Sequence, residues 1–71
     1  MKFLDLFGEI STEDVQRGID LWIKSARNRA ILHDKLIDGL TYEQIAEKYK
    51  LSVRHTKTLV YRLGDFILLH L

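Results

Sequence analysis

The sequence predicts an all-α fold, a small helical bundle of four to five helices in one domain. Three observations carry this. No segment alternates apolar and polar residues with the period of two that a half-buried strand needs. Apolar residues recur instead at helical spacings, as at Val15, Ile19, Trp22 and Ile23. Capping residues and four glycines punctuate these runs, and proline is absent.

Residues 1–10 form a short apolar lead of Phe3, Leu4, Leu6, Phe7 and Ile10, compatible with a helical turn or an extended arm. Ser11-Thr12-Glu13-Asp14 then reads as a helix start. The Ser11 hydroxyl can accept from an orphan backbone N–H, and the acids sit where the helix dipole favours negative charge. Val15, Ile19, Trp22 and Ile23 share the face expected to enter the core. Residues 24–30 are polar and basic, so the helix either continues or breaks near residues 25–28. Ile31, Leu32, Leu36 and Ile37 follow, and Gly39 is placed as a left-handed stop.

Thr41 with Gln44 three residues on has the spacing of a capping box, and the helix it opens buries Ile45, Ala46 and Tyr49. Lys50-Leu51 makes a turn. Ser52 caps a further helix with Val53, Thr56, Leu59, Val60 and Leu63 inward. Gly64 is placed to end or kink that helix. The boundaries expected are a helical extension over 1–26, a core over 27–63 and an apolar tail over 64–71.

Composition excludes several classes. With no cysteine in 71 residues, the chain is neither a disulfide-stapled mini-protein nor a cysteine-ligated zinc module. No apolar run approaches the roughly 18–20 residues of a membrane span. Asp5 and Glu9 interrupt any signal-peptide core, so a cytoplasmic setting is expected. His33, His55 and His70 lack metal-ligand spacing, and no nucleophile–base constellation or phosphate loop is present. The expectation is a non-enzyme without metal or cofactor. Asp34, Asp38, Glu43 and Glu47 read as salt-bridged surface.

The formal charge of +1 argues at first against a nucleic-acid partner, but its distribution is uneven. Residues 1–20 carry a net −3 and residues 21–71 a net +4. Lys48, Lys50, Arg54, Lys57 and Arg62 follow one another with no acid between Glu47 and Asp65. A basic stripe of this kind is the electrostatic footprint of nucleic-acid binding.

Helix stop, short capped helix, three-residue turn and second capped helix give the order of a helix-turn-helix across residues 38–63. The phrase Gly39-Leu40-Thr41-Tyr42-Glu43-Gln44-Ile45-Ala46-Glu47-Lys48-Tyr49-Lys50-Leu51-Ser52-Val53 resembles region 4 of the sigma-70 family and the related LuxR-type helix-turn-helix. Arg29-Ala30-Ile31-Leu32 upstream and Leu59-Val60-Tyr61-Arg62-Leu63 downstream fit the same pattern, so the likeness spans roughly half the chain, residues 27–63. Two positions depart from it. Lys50 stands where the turn usually holds glycine, and Thr56 stands where the second helix usually buries Val or Ile.

The resemblance implies sequence-specific contact with double-stranded DNA by a transcriptional regulator of bacterial or phage type. The helix over 53–63 would enter the major groove. Arg54, His55, Lys57, Thr58 and Tyr61 face outward toward base edges; Thr41, Tyr42, Lys48, Lys50, Ser52 and Arg62 are placed for phosphates. The rival from another class is a protein-interaction module of the same type, docking RNA polymerase or a regulatory protein. Phe66, Ile67, Leu68, Leu69 and Leu71 are too many for one face of a terminal helix. They offer a seam either to the apolar lead or to a second copy in a homodimer.

Overall fold

The computed structural model describes residues 9–70, which form four helices and no strand. These are α1 (Thr12–Trp22), α2 (Ala26–Leu36), α3 (Tyr42–Tyr49) and α4 (Val53–His70). The lead over residues 1–8 and Leu71 lie outside the described residues, so the choice between turn and arm lies there too. No described helix is long and apolar enough to cross a membrane.

Local chemistry explains the boundaries. Ser11 Oγ accepts from the Asp14 N–H at 3.1 Å and caps α1. The chain breaks at Ile23–Ser25, where Ser25 Oγ accepts from the Asn28 N–H at 3.3 Å and starts α2. Arg29 reaches back across this corner. Its guanidinium donates to the carbonyls of Ile23 at 2.8 Å and Lys24 at 2.9 Å, satisfying backbone acceptors where α1 ends. Gly39, at φ +76°, reverses the chain after α2 as its position predicts. Both halves of the Thr41–Gln44 capping box are formed, at 2.8 and 3.1 Å.

α2 and α4 each pack against all three other helices. Val15, Ile19 and Ile23 meet Ile31 and Leu32 of α2, Ile45 of α3, and Val60 and Ile67 of α4 in one buried cluster. Thr56 is fully buried on the inward face, and its hydroxyl donates to the Ser52 carbonyl at 2.9 Å. Thr56 is thus inward as its spacing predicts, and its polar atom is satisfied within its own helix.

Two expectations fail. Gly64 does not end α4, which continues through it to His70. Val60, Gly64 and Ile67 recur at spacings of four and three on the buried face. Packing on both sides of the glycine outweighs its helix penalty of about 1 kcal/mol. Trp22 is not core: it is 41% exposed at the last position of α1. Its ring instead stacks on His70 of α4, with centroids 4.4 Å apart.

Candidate functional site

The junction of α3 and α4 carries the residues singled out from sequence. Lys50 ends α3 in the left-handed region, at φ 58° and ψ 44°. The Leu51 N–H closes on the Ala46 carbonyl at 2.8 Å and completes the turn. Ser52 Oγ accepts from the His55 N–H at 3.0 Å and starts α4. The turn thus takes the glycine-like conformation with a lysine in it, at a cost of about 1–2 kcal/mol.

α4 divides cleanly by face over its first three turns. Arg54, His55, Lys57, Thr58, Tyr61 and Arg62 are exposed, whereas Thr56, Val60 and Gly64 are buried. Thr41, Lys48, Lys50 and Ser52 are exposed as well. Some of these polar groups already have partners. Thr58 Oγ1 donates to the Arg54 carbonyl at 3.1 Å, and Ser52 Oγ serves as a cap.

Tyr42 is the exception, being part-buried at the start of α3. Burial, and second the neighbouring Tyr61 hydroxyl, push its phenol up to about 12. The ring centroids of Tyr42 and Tyr61 are 6.3 Å apart. Lys35 Nζ lies 4.3 Å and Lys57 Nζ 5.6 Å from the Tyr42 ring centroid. The aromatic ring thereby draws a lysine of α2 and a lysine of α4 to one place through cation–π attraction. Lys35 was not among the expected site residues. Lys35, Tyr42 and Lys57 stand on three different helices, so no spacing within one helix marks the meeting.

Asp34 was expected as surface and is 6% exposed. Its Oδ2 accepts from the Tyr49 hydroxyl at 2.8 Å and from Lys48 Nζ at 3.0 Å, bridging α2 to the last turn of α3. The hydrogen bond to Asp34 holds the Lys48 ammonium above its ordinary pKa; burial, and then the same carboxylate, raise the Tyr49 phenol. A signal existed for Asp34: it lies three residues after the fully buried Ile31, on the inward face of α2.

His33 Nδ1 lies 3.5 Å from Asp38 Oδ2. With Asp34 these residues bring three candidate ligand atoms within 4.8 Å of one another. Tyr49 and Lys48 already engage Asp34, so that member of the cluster serves to join α2 to α3.

Comparison with protein-family models, curated proteins and solved structures finds no match. The geometry of the α3–α4 junction therefore carries the functional argument.

Proposed function

We propose that the chain is a helix-turn-helix protein that binds double-stranded DNA and regulates transcription, with the first three turns of α4 in the major groove. The observation that carries this is the exposed band of Arg54, His55, Lys57, Thr58, Tyr61 and Arg62 on a helix anchored from behind by Thr56 and Val60. No acid interrupts the sequence between Glu47 and Asp65, so a polyanion meets positive charge and hydrogen-bond donors along that stretch. The resemblance of residues 27–63 to region 4 of the sigma-70 family points the same way.

In this reading Arg54 is the candidate for a bidentate contact with guanine O6 and N7, with His55, Lys57, Thr58 and Tyr61 beside it at base edges. Lys50 and Arg62 are point charges for phosphates, while Thr41 and Ser52 start helices whose first N–H groups favour anions. Lys48 contributes charge from a position set by Asp34.

The test is duplex binding by fluorescence anisotropy across a salt series. Affinity should fall with salt at a log–log slope of about −0.9 per phosphate neutralised. Absence of duplex affinity at low salt removes the reading and favours a module that docks RNA polymerase or another protein.

A further inference from the structure

Lys35 of α2 and Lys57 of α4 meet over the ring of Tyr42 at the start of α3, with Nζ atoms 4.3 and 5.6 Å from its centroid. Two ammoniums so placed lie within about 10 Å of each other, where like charges repel. Among the described residues, neither ammonium forms a salt bridge with a carboxylate. What holds them is uncharged. Lys35 Nζ donates to the Leu40 carbonyl at 3.2 Å, and both ammoniums are drawn to the negative face of the ring. The phenol, pushed up to about 12, is neutral at physiological pH, so the attraction belongs to the ring face and not to a phenolate. The Tyr42 hydroxyl is buried beside Tyr61, which leaves the ring as the part of the side chain that acts at the surface.

We propose that Tyr42 is a positioning residue of the DNA interface: its ring steadies Lys57 on α4 and draws Lys35 of α2 into that interface as a phosphate contact. The proposal rests on the DNA reading above and adds to it a cation from outside the α3–α4 pair. Three observations support it. The first is convergence. Lys35, Tyr42 and Lys57 stand on three helices, so the two charges come together only in the folded bundle. The second is donor capacity. An ammonium has three N–H donors, and the Leu40 carbonyl takes one from Lys35, which leaves donors for a phosphate oxygen. The third is charge. Two close cations without a carboxylate between them attract a polyanion, whose phosphates relieve their repulsion.

The ring supplies order as well as attraction. A lysine side chain that is free in solution loses rotamer freedom when it meets a phosphate, and one already held loses less. Tyr61 of α4, with its ring centroid 6.3 Å from that of Tyr42, backs the ring from the side of the exposed band.

The test is duplex binding by fluorescence anisotropy across a salt series, for the wild type, Tyr42→Phe, Tyr42→Leu and Lys35→Gln, with circular dichroism as the check on folding. Tyr42→Phe keeps the ring and is expected to bind with wild-type affinity and salt slope. Folded Tyr42→Leu should bind about three- to tenfold more weakly, as two cation–π contacts are lost. Lys35→Gln should lower the log–log salt slope by about 0.9, one phosphate contact, with unchanged helicity. A purely structural role for Tyr42 would lower the melting temperature of Tyr42→Leu and leave the affinity of its folded form unchanged. Should Tyr42→Leu fail to fold, ring-fluorinated phenylalanine at position 42 keeps the shape while draining the face of negative charge, and affinity should fall with each added fluorine. A wild-type slope in Lys35→Gln overturns the proposal. So does a Tyr42→Phe that binds as weakly as Tyr42→Leu, since the hydroxyl would then be the group that matters. A wild type that binds no duplex removes the DNA reading and this proposal with it; a wild type that binds while all the variants match it removes this proposal alone.

Discussion

The Tyr49 hydroxyl donates to Asp34 Oδ2 at 2.8 Å, tying the last turn of α3 to the inward face of α2 across fifteen residues of sequence. Lys48 shares the same oxygen at 3.0 Å. Because Asp34 is buried and Lys48 is 53% exposed, the carboxylate is the member that depends on this arrangement. Asp34→Ala leaves the Tyr49 hydroxyl without its acceptor and is expected to cost about 1–3 kcal/mol, at roughly 4–8 °C of Tm per kcal/mol. Thermal denaturation followed by circular dichroism measures it. A Tm unchanged within about 2 °C would reduce the bridge to a surface contact.

Alkaline pH should destabilise the fold. The folded-state pKa values of Tyr42, Tyr49 and Lys48 are all raised. Between the unfolded and folded values the native state holds more protons than the unfolded chain, so stability falls as pH rises. Their contribution is complete below about pH 10 and is lost toward pH 12 and above. Urea midpoints at pH 8, 10 and 11 should decrease in that order, and Tyr42→Phe should flatten the decline. Midpoints that hold level to pH 11 would contradict the linkage.

Lys50 is the described non-glycine residue with positive φ. Lys50→Gly removes a left-handed strain of about 1–2 kcal/mol, set against the greater chain entropy of glycine when unfolded. The expected net is a stabilisation of about 0.5–1 kcal/mol, read as a higher urea midpoint with unchanged slope. The same variant should bind duplex DNA more weakly and lower the salt slope by about 0.9, as one phosphate contact is lost. A lower urea midpoint would show that the lysine side chain stabilises the turn in another way.

Arg54 and Arg62 should respond differently to truncation. Arg54→Ala is expected to weaken binding by about 1–3 kcal/mol and to relax sequence preference, as loss of a base contact does. Arg62→Ala should weaken binding evenly across sequences and reduce the salt slope. Competition anisotropy on a panel of duplexes separates the two. Equal effects on every sequence from both variants would reassign Arg54 to the phosphate backbone.

Much of the architecture was legible along the chain because it depends on residues three or four positions apart. Ser11, Thr41 and Ser52 cap the helices expected of them, since a cap is a contact with an N–H three residues on. Whether α1 continued or broke near residues 25–28 stayed open in the sequence, and the structure breaks the chain at Ile23–Ser25. Periodicity also assigned the outward set of α4, because a helix buried along one side exposes the other wherever its neighbours lie.

Contacts distant in sequence were decided by packing. Trp22 shares its period with Val15 and Ile19, yet it stands at the end of α1, where it stays 41% exposed and its ring lies on His70. A hydrophobic period gives a direction around the helix axis but not how far along it the neighbouring helices extend. Asp34 shows the converse: its type suggested water, and its place three residues after Ile31 put it inside, where Tyr49 and Lys48 compensate the buried carboxylate. Gly64 read as an end or a kink because helix propensity is local, whereas the burial of Val60 and Ile67 on either side carries α4 through it. The sequence alone determined how α1, α3 and α4 start and which side of α4 meets solvent, since each rests on interactions within one or two turns. The buried carboxylate, the exposed Trp22 and the length of α4 were left to the assembled bundle, because each turns on partners fourteen or more residues away.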